Sequence, residues 1–380
     1  LLNNWGKPAQ APVSGAFSPR NIEMIQNLVP LKGEGFTVKA LVLTAYNHFA
    51  YQDVPEPQVG PDDVLIQVQA CGICGSDVHG MDGSSGRRIP PIVMGHEASG
   101  IITQVGESVT GWQAGDRVTF DSTLYCGTCY FCRRGLMNLC DDRRVLGVSC
   151  ETYRQHGAFA EYVAVPQRIL YRLPEGLSFE QAAMTEAVSI ALHAVARTPI
   201  SLNDTAVVVG AGMIGLLVVQ TLRAAGCGQI LAVDLDRQRL DLACALGADA
   251  GFRSDADDVL EAVRQRTAGR GVDIAFEVVG FTPTLQLAIL CLRKGGSLTL
   301  IGNLSPRAEF PLQSTVTRQL TLNGSCASCG EYPAGLDMIA RRAIDVDALI
   351  SAVAPLSEGA RWFERLYRKE PGLMKVILRP

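Results

Sequence analysis

The chain has 380 residues, 47% hydrophobic and 19% charged, a balance that fits a globular protein and a length that predicts two domains. Its 34 Lys and Arg against 38 Asp and Glu give a net charge of −4, which argues against a nucleic-acid partner. No apolar run reaches membrane-helix length and the first residues carry no basic-then-apolar leader, so no membrane partner and a cytoplasmic location are expected.

Residues 1–37 are rich in Pro, Asn, Gly and Ser without a sustained period, and read as a loosely ordered extension. From Val38 the pattern turns β-like. VKALVLTAY (38–46), DDVLIQVQACG (62–72), ASGIITQVG (98–106), DRVTF (116–120) and AFAEYVAVP (158–166) are apolar-rich runs between Gly and Pro punctuation, and predict a twisted, barrel-like β domain. SFEQAAMTEAVSIALHAVART (178–198) has helical periodicity. After it TAVVVG, GLLVVQTLRAAG, QILAVDL, RQRLDLACALGA, VDIAFEVVG (272–280), LQLAILCLRKGG (285–296) and SLTLIGN (297–303) alternate as strand and helix. That is the pattern of a doubly wound parallel α/β unit. DVDALISAV (345–353) and ARWFERLYRKE (360–370) are predicted as helices, and LMKVILRP (373–380) as a final strand.

VVVGAGMIG sets Gly210, Gly212 and Gly215 between a predicted strand and helix. This is the dinucleotide fingerprint: a tight turn, a close approach for a pyrophosphate, and a close helix–strand contact at a helix N-terminus. Asp234 follows at the end of the next strand, where an acid can bond the adenosine ribose and oppose a 2′-phosphate. NAD is therefore expected over NADP; Arg237 and Arg239 close by leave room for the other reading.

Of twelve cysteines, Cys126, Cys129, Cys132 and Cys140 form C-x2-C-x2-C-x7-C. Four thiolates at that spacing can close a tetrahedron around a structural Zn²⁺. An iron–sulfur cluster is the main rival, although its motif brings the fourth Cys sooner and a Pro after it. A nucleic-acid-binding zinc module is the other rival, and the acidic balance of the chain opposes it.

CGICGSDVHG (71–80) and GHEASG (95–100) supply a second set. Cys71 and Cys74 alone could be a redox pair, but that motif belongs to a βαβ setting. A catalytic Zn²⁺ takes three protein ligands and leaves a position open. Cys74 and His96 supply two, with Glu97 or a later residue as the third.

CGICGSDVH, GHEASG, the four-cysteine lobe, GDRV (115–118), VGAGMIG and VDLDRQR together resemble the zinc-dependent medium-chain alcohol dehydrogenases over about residues 38 to 380. Within them the chain looks most like the polyol (sorbitol-type) and sugar-alcohol enzymes. The resemblance implies an α/β fold: a GroES-like β-barrel catalytic domain, 38–186 and 327–380, around an inserted Rossmann domain, 187–326. It implies one catalytic zinc on Cys74, His96, Glu97 and Glu186, and one structural zinc on Cys126, Cys129, Cys132 and Cys140. Ser76 would relay the proton towards His79, and Asp77 would support the metal ligands. NAD contacts are implied at Gly210, Gly212, Met213, Ile214, Gly215, Asp234, Arg239, Val278, Ile301, Gly302, Asn303, Ser325, Cys326 and Ala327.

The implied activity is NAD-dependent oxidation of a secondary alcohol, a polyol or sugar alcohol, to the ketone by a homotetramer or homodimer. Alternatives are the same chemistry on L-threonine or a sugar-alcohol phosphate, or a zinc- and nucleotide-binding protein without turnover. Two departures touch the substrate: sorbitol-type members often carry an aromatic after the motif histidine and an arginine near 325–328, where this chain has Gly80 and SCAS. Arg87 and Arg88, in GSSGRRIPP, read as contacts for a sugar phosphate, as exposed loop charges or as subunit contacts.

Overall fold

The computed structural model describes residues 36–380, so the predicted extension lies, but for its last two residues, outside the described residues. The strands of three residues or more are β1 (Thr37–Ala45), β2 (His48–Pro55), β3 (Asp63–Gly72), β4 (Glu97–Val105), β5 (Arg117–Phe120), β6 (Tyr162–Pro166), β7 (Leu170–Arg172), β8 (Thr205–Val209), β9 (Gln229–Asp234), β10 (Ala250–Arg253), β11 (Val272–Glu277), β12 (Leu292–Leu300), β13 (Thr321–Gly324), β14 (Ile350–Pro355) and β15 (Lys375–Arg379). The helices are α1 (Gly75–Gly80), α2 (Phe179–Ala183), α3 (Thr185–Ala196), α4 (Met213–Ala224), α5 (Arg237–Ala245), α6 (Val259–Arg266), α7 (Thr282–Cys291), α8 (Leu312–Thr317), α9 (Tyr332–Ala340) and α10 (Gly359–Tyr367).

Two large sheets carry the fold. One runs β7-β5-β4-β3-β15-β14, with β6 also on β3. Its central strands β3, β4 and β15 carry runs of buried side chains while β6 alternates, and Leu41, Ile66, Ile102, Phe120, Phe159, Phe363 and Leu378 share its core. The other is parallel, in the order β10-β9-β8-β11-β12-β13. Val208 of β8 joins the core under α4, while Val207 and Val209 join the core on the opposite face under α7. Both faces are covered, which is why TAVVV reads as an unbroken apolar run. The strand order reverses between β8 and β11, and ligands of open parallel sheets bind at such a crevice.

After β13 the chain returns to the first sheet. β15 lies antiparallel to β3, with Ile377 opposite Gly72, and parallel to β14. Here two expectations are corrected. The helix predicted at 345–353 is a single 3-10 turn, Asp347–Leu349, followed by β14; pairing with β15 outweighs the local helical spacing. The helix predicted over 178–198 is two: Ser178 caps α2 by accepting from Gln181, and Met184 ends α2 and opens α3.

Candidate active site and metal centres

β3 ends at Gly72, and two residues later Cys74 becomes the N-cap of α1, its backbone N–H donating to Asp77 Oδ2 at 3.4 Å. Strand pairing sets Glu97, the first residue of β4, opposite Gly72. A Cβ on Gly72 would stand 2.4 Å from Glu97 Oε2, so the glycine leaves the space that the carboxylate fills. Cys74, His96 and Glu97 are thereby gathered with their ligand atoms within 4.8 Å of one another. Cys71 points into the core instead, and burial pushes its thiol pKa well up. Glu186, in the first turn of α3, stands outside the 4.8 Å group. It is near enough that Glu97's charge adds to burial in raising its carboxyl to about 7.

His96 Nδ1 faces Asp77 Oδ1 at 3.4 Å and Nε2 faces Ser76 Oγ at 3.5 Å. A carboxylate behind the far ring nitrogen is the usual support for a metal-binding histidine, so the donor set and its backing fit a zinc ion. Asp77 is fully buried. Burial pushes its carboxyl upward, yet the His96 and Arg88 charges hold it well below the usual carboxylate range.

Arg88 overturns its reading as an exposed loop charge. It is 3% exposed, and donates to Asp77 Oδ1 from Nε at 3.1 Å and Nη2 at 2.8 Å, and to Ser76 Oγ from Nη2 at 3.3 Å. The same side chain explains Gly80: a Cβ there would lie 2.4 Å from Arg88 Cγ. No space is left for the aromatic residue that sorbitol-type enzymes often carry. Lys375, which the sequence reading passed over, is buried on β15 and donates to Glu97 Oε2 at 2.5 Å and to the Ile73 carbonyl at 3.2 Å. Ser76 and His79 are both exposed on α1, one turn apart. No hydrogen bond joins them among the described residues, and the His79 carbonyl accepts from Ser84 Oγ.

The four-cysteine lobe forms a second cluster. Cys126 Sγ and Cys132 Sγ are 4.0 Å apart, and Cys129 Sγ and Cys140 Sγ 3.9 Å. Those separations approach the edge of a tetrahedron with Zn–S bonds of about 2.3 Å, which is about 3.8 Å. Backbone N–H groups of Thr128 and Cys129 donate to Cys126 Sγ, and with the Thr128 hydroxyl they lower its thiol pKa to about 6, favouring the thiolate a metal binds.

At the crevice of the parallel sheet, Gly210 holds φ +104°, and a Cβ on Gly215 would lie 1.8 Å from the Gly210 carbonyl oxygen. The turn and the helix approach both require glycine. A Cβ on Gly212 would meet nothing within 4 Å, the open floor a pyrophosphate needs. Asp234 Oδ2 accepts from Ala211 N at 2.7 Å, joining the end of β9 to the glycine loop. Arg237 pairs with Asp241 at 3.0 Å and Arg239 with Asp236 at 3.7 Å, so both arginines have acidic neighbours on or beside their own helix. The remaining cofactor candidates cluster at the carboxyl ends of neighbouring strands. Val278 N donates to the Val209 carbonyl, Ile301 N and Gly302 N to the Glu277 carbonyl, and Ser325 N to the Leu300 carbonyl.

The last of these loops is tied to the cysteine lobe. Asn138 Nδ2 donates to the Cys326 carbonyl at 2.8 Å and lies 3.4 Å from His193 Nε2, while His193 Nδ1 meets Glu331 at 2.7 Å. His193 thus joins three segments, in keeping with a structural role.

The comparisons with known proteins fall on these same segments. The family pattern "Alcohol dehydrogenase GroES-like domain" matches residues 60–175, and "Zinc-binding dehydrogenase" matches 214–341. The sorbitol dehydrogenase of Bacillus subtilis (strain 168) is 33% identical over 90% of this chain and 97% of its own. The D-arabitol-phosphate dehydrogenase of Enterococcus avium is 32% identical over 88% and 94%. A protein of Sinorhizobium meliloti 1021 assigned as a zinc-binding dehydrogenase, and solved bound to NADP, superposes with a TM-score of 0.83 at 31% identity, over 91% of this chain and all of its own. With that identity carried along almost the whole of both chains, this protein belongs to the zinc-dependent medium-chain alcohol dehydrogenase family.

Proposed function

We propose that this protein oxidises a secondary alcohol, a polyol or sugar alcohol, to the ketone with NAD as hydride acceptor. The observation that carries the reading is the convergence of Cys74, His96 and Glu97 within 4.8 Å, with Ser76 Oγ 3.5 Å from His96 Nε2. A zinc ion held by Cys74 and His96, with Glu97 or Glu186 as third ligand, would polarise the alcohol oxygen and lower its pKa. NAD in the crevice above Gly210–Gly215 would accept the hydride.

The chain's own groups do the rest. Ser76 Oγ accepts the alcohol proton, and Arg88, donating to that oxygen from Nη2, fixes the direction in which the hydroxyl points. Asp77 steadies His96, and Arg88 in turn neutralises Asp77. Ser76 and His79 are both exposed on α1, so the proton would leave Ser76 towards solvent, with His79 the base one turn on that would take it up. The alcohol loses one hydride to NAD and one proton to water.

Asp234 supports NAD over NADP, because an acid at the end of β9 would bond the adenosine ribose and repel a 2′-phosphate. The reading extends to a homo-oligomer, a tetramer or dimer. β13 is the open edge of the parallel sheet, and Phe310, Leu312 and Val316, just before it in the chain, are exposed. No helix among the described residues is long and apolar enough to cross a membrane. Twelve cysteines with no disulfide among the described residues suit the reducing cytoplasm.

The test is an NAD-coupled absorbance screen of the zinc-loaded enzyme across polyols, amino alcohols and sugar-alcohol phosphates. Turnover confined to amino alcohols, or none on any alcohol, would overturn the polyol reading.

A further inference from the structure

We propose that a cavity of about 560 Å³, whose wall includes Arg87, the residue before Arg88, binds a phosphate monoester on the far end of the alcohol substrate, with Arg87 and Arg143 as the phosphate-gripping residues. The substrate assignment rests on the dehydrogenase reading above; the anion site stands on its own geometry.

The cavity lies between the cysteine lobe, the 143–153 segment and the loop after β13, and its lining includes Arg87, Asn138, Arg143, Cys150, Tyr153 and Cys326. Its volume falls in the range that encloses a small ligand. No carboxylate lines it, the one metal-ligand candidate in its wall being Cys140 of the cysteine lobe, and Asp141, Asp142 and Glu151 nearby are exposed. Among the described residues neither Arg87 nor Arg143 forms an ion pair, while their neighbours do: Arg88 pairs with Asp77 and Arg144 with Asp142.

Arg143 is the more telling of the two. Its Nε is buried without a partner, and its Nη1 meets only the Cys326 thiol, at 3.3 Å. Asp121, whose carboxyl feels the Arg143 charge, is bonded instead to Thr123 N at 2.8 Å. The positive field reaches Cys150, where Arg87 helps hydrogen bonds from Thr152 and Tyr153 to outweigh burial and lower the thiol pKa. An unpaired guanidinium half-sunk in a cavity wall is costly unless an anion completes it. Two guanidinium forks from separate segments match the oxygens of a phosphate monoester.

The position is right for a substrate tail. Arg87 precedes Arg88, whose guanidinium reaches Ser76, and the Arg87 carbonyl accepts from Ser149 N at 3.2 Å, next to Cys150. The opposite wall, Cys326, belongs to the loop expected to meet the cofactor. A polyol phosphate with its reacting hydroxyl towards Ser76 would direct its other end between these walls.

Two measurements on the zinc- and NAD-loaded enzyme test this. Calorimetric titration with inorganic phosphate should show saturable binding, weakened about 10- to 100-fold by Arg87→Gln and by Arg143→Gln. In absorbance assays, the ratio of kcat/KM for a terminal polyol phosphate to that for the parent polyol should be above one and fall by a similar factor in both variants. Arg87 is exposed, so its substitution keeps the test valid should Arg143→Gln fail to fold. Phosphate that does not bind, or binds both variants as it binds the wild type, overturns the proposal, as does a ratio unmoved by either substitution. If no alcohol of any kind turned over, the dehydrogenase reading would fall while the phosphate titration still decided this one.

Discussion

Arg88→Met is the sharpest perturbation of the site that leaves every metal-ligand candidate in place. The side chains of Arg88 and Asp77 are 4% and 0% exposed, and two guanidinium N–H groups converge on one carboxylate oxygen at 3.1 and 2.8 Å. Methionine fills much of the same volume but leaves Asp77 with only the Cys74 N–H at 3.4 Å and His96 at 3.4 Å. Removing one partner of a buried pair costs about 3–5 kcal/mol, and two charge-assisted bonds at about 1.5–3 kcal/mol each give a comparable figure. Urea unfolding of the zinc-loaded protein, followed through Trp112 and Trp362, which pack against the core of the first sheet, should show a loss of that size. Arg88→Lys keeps the charge without the fork and should lose less. Turnover should fall in Arg88→Met as well, because Ser76 loses its orienting donor. A loss below about 1 kcal/mol would mean that Asp77 does not depend on Arg88.

Gly80→Ala should push against the same side chain, whose Cγ would lie 2.4 Å from the new Cβ, and lower both the unfolding midpoint and kcat. Cys129→Ser should reduce bound zinc from two ions per chain to one, matching the two clusters, as read by elemental analysis, with the lobe becoming sensitive to limited proteolysis. Asp234→Ala should shift the NADP-to-NAD ratio of kcat/KM towards NADP by about tenfold or more. The His193 hydrogen bond holds the Glu331 carboxyl low against the upward push of burial. Its contribution to stability is present above the ordinary glutamate pKa and lost as pH falls through the lower folded value. Glu331→Gln should therefore weaken the protein at neutral pH and flatten the acid limb of its stability profile.

The elements that could be read from the sequence are those with strong local signals. The parallel sheet announced itself through apolar runs alternating with helical stretches, and the glycine loop through its place between them. The Cys74 turn and the GHE segment were legible as two halves of one cluster. β2 was missed because HFAYQDVP is half-exposed along its length and runs into a proline-rich turn. The segment 345–353 was misread because its Asp start and apolar spacing fit a helix, while its real conformation is set by β15 beside it. Arg88 and Lys375 were invisible for a different reason. Lys375 meets Glu97 across 278 residues of chain, and nothing in either local sequence marks the pairing. Arg88 looked like its neighbour Arg87; only the missing side chain at Gly80 makes room to bury one of them.

The proposed activity depends on zinc at Cys74 and His96 for hydride transfer from an alcohol to NAD. The most direct test is reduced-nicotinamide absorbance on a sugar alcohol, before and after a chelator has stripped the enzyme of zinc, with residual metal measured in the same sample. Activity should disappear with the metal and return on adding zinc back. Undiminished turnover in protein shown to hold no metal would contradict the account.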